Sequence, residues 1–167
     1  LGIIHQGMLG HWAHVGILLV SLGATGIVHY ICKHWMGSTG EWMDVLFTLL
    51  VVFNNLLGIS YDFYHVVPGW DVATHYTTSL FLGVSALLLL QKAHPHLLVD
   101  EKPPVIVFVM LLFSLGLGGL WEIGEFSSDF LQATDFQHGL TNTMQDLIID
   151  AVAGIIVGSA WVWSRRK

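Results

Sequence analysis

Five stretches of the chain, residues 8–32, 41–60, 71–91, 104–127 and 143–163, are dominated by apolar side chains and separated by short runs rich in glycine, proline and charge. Each is close to the ~20 residues an α-helix needs to cross a ~30 Å hydrocarbon core. The pattern predicts an all-α fold, a polytopic membrane bundle of five transmembrane helices forming a single integral domain over 1–167. Gly37-Ser38-Thr39-Gly40 reads as a turn between the first two spans, and Tyr61 to Gly69 as a short external loop. Pro103-Pro104 suits a helix start, where the first-turn N–H groups have no intrahelical partner. Residues 128–142 form the longest external connection, carrying Asp135 and His138.

Polar residues inside the spans also recur at helical spacing. Asp71 and His75 are i,i+4 on the third span, Glu122, Glu125 and Asp129 run i, i+3, i+7 on the fourth, and Asp146 and Asp150 are i,i+4 on the fifth. Each set shares one helix face. The first span adds His11 and His14, and the second Asn54 and Asn55. At ~1.5 Å rise per residue, His75 lies roughly 24 Å from the inner end of its span, Glu122 roughly 27 Å and Asp150 roughly 21 Å, so the sets are expected in one slab of the outer half. That slab is ~5–10 Å below the surface, too deep for short carboxylates to reach water by extending.

Charge orients the bundle. Lys33, Lys92, Lys102, Arg165, Arg166 and Lys167 fall on the side of the C-terminus, so the positive-inside rule predicts a cytoplasmic C-terminus and an outer N-terminus in the cytoplasmic (plasma) membrane. Of the twelve acids, Asp62, Asp71, Glu122, Glu125, Asp129, Asp135, Asp146 and Asp150 fall in the outer half. The net charge of −6 is thus concentrated outward, which favours cationic partners and argues against nucleic acid. With 54% hydrophobic residues and a mean hydropathy of +0.67, little chain is left for anything but spans and connections. The first span is expected to stay as a span, being too long and too weakly charged at its flank for a signal peptide. The single cysteine, Cys32, reads as a small packing residue.

A carboxylate at such depth costs at least ~2.5–3.5 kcal/mol unless paired or coordinated, and the outer half contains no lysine or arginine. Protonation, histidine partners, water or a metal ion must compensate. Inward-facing carboxylates and imidazoles from several helices are the arrangement of di-metal helical bundles, and this mixture suits Zn, Fe or Mn better than Ca or Mg. The expected ligands are Asp71, His75, Glu122, Asp146 and Asp150, with Glu125 as an acid/base near the mouth. Competing readings stand beside these. Asp71 and Asp146 sit where helix N-caps are natural, Glu125 and Asp129 can be interfacial, and the asparagines serve as interhelical glue. His29 and His34 are expected to be structural, without acidic company. The small faces of Ser114, Gly116, Gly118 and Gly119, and of Gly154 and Gly158, predict that the fourth and fifth spans touch.

The run Trp70-Asp71-x-x-x-His75, Trp121-Glu122-x-x-Glu125 and Asn142-Thr143-Met144-x-Asp146-Leu147-x-x-Asp150-x-x-x-Gly154 resembles the YjdF-like membrane proteins and, more distantly, the VanZ-like family. The match covers roughly 61–160. The resemblance implies a compact polytopic helical protein of unassigned activity and gives weight to His75, Glu122, Asp146 and Asp150. The chain departs from the pattern at Asn142, where such proteins often show an acid.

Three functions fit. The first is a metal-dependent membrane enzyme acting outward on a lipid-linked or envelope substrate. The second is an accessory subunit of a larger membrane complex contacting lipid, pigment or haem. There tryptophan-rich surfaces contact neighbours, pigment or lipid, with which the seven Trp, nine Phe and four Tyr are compatible although interfacial belts explain many of them, and histidines such as His11 and His14 ligate haem or chlorin. The third, cation transport, is the least favoured, since the inner half of the spans offers few polar groups. Membrane lipids are the expected partners throughout.

Overall fold

The computed structural model describes residues 12–96, 98, 102–132 and 135–165, and of residues 12–14 and 132 the backbone alone. Of the described residues 88% are helical and none lies in a strand. Five helices are long and apolar enough to cross a membrane, as the hydrophobic pattern predicts. It divides into two compact units, Leu1–Asp71 and Val72–Lys167.

In the first unit, helix α1 (Trp12–Ile31) continues through a wide π-type stretch, Cys32–Met36. Helix α2 (Ser38–Val52) likewise continues as a π-type stretch, Phe53–Ser60. The predicted four-residue turn between them is a single residue: Gly37 adopts φ 61°, and Ser38 is already helical. The tight reversal is possible because Gly40 lies against the backbone of Cys32, where an added Cβ would overlap the Cys32 carbonyl and come within 2.9 Å of the Met36 Cβ. Cys32 is buried, as its small size suggested. Asn55 accepts a hydrogen bond from Ser21 of α1 at 3.3 Å, the interhelical role expected of it. It also donates to the Val51 carbonyl at 3.0 Å.

The loop between the second and third spans contains a short helix, α3 (Phe63–Val66), entered through Asp62 at φ 62°. Tyr64 donates its hydroxyl proton to Asn54, and Phe63 packs edge-on to Trp70 with ring centroids 5.0 Å apart. One expectation is corrected here. His29 does have acidic company: its Nδ1 lies 2.6 Å from an Asp44 carboxylate oxygen, because residues 29 and 44 flank the tight Gly37 reversal.

The second unit is built from α4 (Trp70–Ala93, from Val72 on), α5 (Pro103–Gln132) and α6 (Leu140–Ser164). Helices α5 and α6 outrun their predicted spans. Apolar content falls where Glu125 and Asp129 begin, but backbone hydrogen bonding continues beyond the apolar run. The connection is closed by Asp129, whose carboxylate accepts from the backbone N–H groups of Phe136 at 2.8 Å and Gln137 at 3.0 Å.

The α5–α6 contact predicted from small residues is present. A Cβ on Gly154 would lie 2.6 Å from the Met110 carbonyl oxygen, and one on Gly158 would lie 2.8 Å from the Val107 Cα. Only glycine lets the two backbones approach this closely. Below the polar residues, Leu87, Leu98, Ile106, Met110 and Val157 form an apolar core. At the end of this core away from the polar residues, Arg165 donates to the Leu98 carbonyl at 2.7 Å, with its guanidinium 5.7 Å from the Trp161 ring centroid. Large apolar side chains such as Phe108, Leu112, Ile148 and Ile155 are exposed on the outer helix faces, as suits contact with lipid.

Candidate functional site

Two helices of the second unit carry parallel polar ladders at i, i+4, i+8. On α4 these are Asp71, His75 and Ser79; on α6, Asn142, Asp146 and Asp150. Both helices enter from the same side, so equivalent rungs meet. The Ser79 hydroxyl donates to Asp150 Oδ1 at 2.6 Å, and His75 Nδ1 lies 3.3 Å from Asp150 Oδ2. Helix α5 runs the other way and adds Glu122, whose Oε1 is 3.8 Å from His75 Nε2. The imidazole is thus flanked by two carboxylates.

Burial is nearly complete. Asp146 is 0% exposed, Asp150 1% and Glu122 4%, and the His75 side chain 8%. Neither Glu122 oxygen makes a hydrogen bond. One ligand atom each from Asp71, His75 and Asp146 lie within 4.8 Å of one another, a group able to hold a metal ion. Asp71 is the last residue of the first unit but belongs to the first turn of α4, one turn before His75.

Of the five expected ligands, three therefore form the candidate group, while Glu122 and Asp150 touch its histidine. The capping alternative is removed for Asp146. Helix α6 begins at Leu140, after Gly139, so Asp146 lies beyond the first turn. Asp71 retains its first-turn position, where the helix dipole favours an anion. Glu125, half-buried one turn further along α5 from Glu122, accepts a hydrogen bond from Trp121 Nε1 at 2.8 Å and is outside the group. His11 lies outside the described residues, and so does the side chain of His14.

Ser79 and Gly118 were not anticipated as parts of this cluster. Ser79 continues the Asp71, His75 register, a signal available in the spacing. Gly118 was read as a packing glycine, yet a Cβ there would overlap the Asp150 carboxylate. No single-helix pattern reveals that contact.

No solved structure matches the chain. An uncharacterised protein of Thermotoga maritima is 33% identical over 113 residues, covering 66% of this chain and 56% of that protein. The chain thus spans little more than half the length of that relative. A family profile described as a predicted membrane protein family, DUF2238, matches residues 2–167, in keeping with the YjdF-like resemblance and giving none to the VanZ-like one. This chain, with its five apolar helices and its buried histidine–carboxylate cluster, belongs to the DUF2238 family of predicted membrane proteins.

Proposed function

We propose that the protein binds a divalent transition-metal ion, Zn, Fe or Mn, on Asp71, His75 and Asp146, with Glu122 facing the same imidazole. The supporting observation is the convergence of these ligand atoms within 4.8 Å in a buried layer. Electrostatics point the same way. Within the second unit's sequence, Lys92 lies roughly 26 Å along α4 from His75, and Arg165 roughly 22 Å along α6 from Asp150, by helical rise. The excess negative charge of this layer is consequently left to protons or to an ion. A tetrahedral ion would draw ligand atoms to separations of about 3.4 Å, so binding contracts the group by up to about 1.4 Å.

The layer lies towards the end of the bundle that we assign to the outside from the distribution of basic residues, in the cytoplasmic membrane. An ion there is placed to activate water or polarise a lipid-linked or envelope substrate, with Glu125 as an acid/base on the next turn. Labelling of a cysteine at position 138 in a Cys32→Ser background tests the orientation: modification only from the cytoplasmic side reverses it.

Elemental analysis of detergent-purified protein, paired with melting curves of wild type and Glu122→Gln with and without chelator, tests the metal. A bound ion predicts that chelator lowers the wild-type Tm and that Glu122→Gln weakens or removes the ion and melts lower, because the remaining carboxylates lose counter-charge while staying buried. A chelator-insensitive wild type with a neutral or stabilised Glu122→Gln sinks the metal reading, since the substitution then only removes an ionisable group from hydrocarbon.

A further inference from the structure

We infer that a groove between the N-terminal half of α5 and the C-terminal half of α6 binds an anionic phospholipid, one acyl chain lying along the groove and the phosphate against Lys102. The inference is independent of the metal reading and of which side of the membrane the basic end faces.

Helical register builds the groove. On α5, Pro104, Phe108 and Leu111 recur at i, i+4, i+7, and on α6, Ile155, Ser159 and Trp163 recur at i, i+4, i+8; between these two faces lies a groove of about 580 Å³. Its floor is the seam where an added Cβ on Gly158 would lie 2.8 Å from the Val107 Cα. Its outer side is open, with Phe108 57% and Trp163 64% exposed. Both helices are long and apolar enough to cross a membrane, so the groove runs along the direction of the acyl chains, for about 12 Å by helical rise.

Charge selects the headgroup. The lining begins at Pro103, directly after exposed Lys102, and so reaches the end of the unit where basic residues gather. Residues 92–102 and 164–167 contain Lys92, Lys102, Arg165, Arg166 and Lys167 against Asp100 and Glu101. An excess of positive charge at this level favours anionic lipid. The backbone contributes little to holding a phosphate there. Pro103 and Pro104 carry no N–H, and the N–H groups of Val105 and Ile106 already donate to the Lys102 carbonyl. Arg165 is turned to the Leu98 carbonyl, which leaves Lys102 as the side chain beside the groove's mouth.

Two lining residues fit the rest of such a molecule. Ser159 places a hydroxyl in an otherwise apolar stretch of α6, about 7.5 Å from Ser164 by helical rise, the level below the phosphate where glycerol esters lie. Trp163, at the rim, has the amphipathic ring that settles at headgroup level. A second copy of the chain is a poorer occupant. Two copies share one orientation in a membrane, so pairing these faces would bring like-charged ends together at the same level.

The test uses brominated phosphatidylglycerol and brominated phosphatidylcholine as quenchers in mixed micelles, reading the Trp163 signal as the difference between wild type and Trp163→Phe. Phosphatidylglycerol is expected to quench that signal at a mole fraction about fivefold lower than phosphatidylcholine at low salt, and Lys102→Gln to remove most of this preference. Raised salt should narrow it in the same way, and carries the test if Lys102→Gln folds poorly. Ser159→Phe, which fills the groove, should raise the mole fraction needed for both lipids.

Equal quenching by the two lipids in the wild type reduces the groove to general lipid contact and overturns the inference. A preference unchanged both in Lys102→Gln and at high salt does so too. A Trp163 signal that neither lipid reaches also overturns it, because protein then covers the groove, and a doubled mass in light scattering would identify that cover as a second copy.

Discussion

The second unit buries two layers between the same three helices, and they are built on different rules. The inner layer, Leu87, Met110 and Val157 with Leu98 and Ile106, is apolar and non-directional. The outer layer, His75, Ser79, Glu122, Asp146 and Asp150, is equally buried but made of groups that need particular partners at particular atoms. In a bilayer the inner layer gains nothing from leaving water, because lipid is as apolar as leucine; it is held by packing. The outer layer carries an electrostatic cost that packing does not offset. The two kinds of interaction are therefore separated along the bundle, and a substitution in one layer should leave the other's signature intact.

Substitutions at the shared seam should have the largest effect, because both layers depend on the α5–α6 approach. Gly154→Leu forces a side chain into the Met110 carbonyl and Ser114, and should cost about 3 kcal/mol or more, abolishing cooperative melting and any metal binding together. If melting persists while metal binding alone is lost, the seam does not serve both layers.

Next comes Met110→Ala, in the inner layer. Met110 is 1% exposed. Its removal should destabilise by about 2 kcal/mol, at the low end of core truncations because only packing is lost. Metal stoichiometry and affinity should be unchanged, as read by competition against a chromophoric chelator. A parallel fall in affinity would mean that the layers are mechanically coupled.

The smallest effect on stability is expected from Ser79→Ala. Removing the hydroxyl leaves one oxygen of buried Asp150 without its donor, which should cost about 1 kcal/mol in thermal or denaturant melting of the metal-free protein. An effect as large as that of Met110→Ala would show that the polar layer, too, is principally a stabilising element.

The seam was legible in the sequence, the polar layer only partly so, and the membership of the apolar layer not at all. Gly154 and Gly158 signal close helix approach because small residues at i,i+4 have few other uses in an apolar helix. The depth argument likewise brought His75, Glu122 and Asp150 to one level, and the structure places both carboxylates against the imidazole. It did not reveal which atoms meet. Periodicity gives the face of a helix but not its rotation against a neighbour, so Gly118, the slot for Asp150, looked like any other packing glycine. The length of α5 was not legible for a different reason. Hydropathy ends where polar residues begin, whereas α5 continues to Gln132 because helical hydrogen bonds are indifferent to what the side chains carry. His29 was misjudged because Asp44 lies on the far side of a reversal whose tightness depends on Gly37 and Gly40.

The π-type stretch at Phe53–Ser60 carries a consequence for comparing this protein with its relatives. A wide turn accommodates an extra residue within a helix and shifts the register of everything beyond it. Residues 38–52 and 53–60 therefore do not share one helical wheel, and Asn54 and Asn55 face partners that extrapolation from Ser38 would misplace. A relative with a regular helix here should align through a one-residue gap inside a transmembrane segment. Such a gap would mark a change in which side chains the second span turns towards Ser21 and Tyr64, and it should not be dismissed as an alignment error.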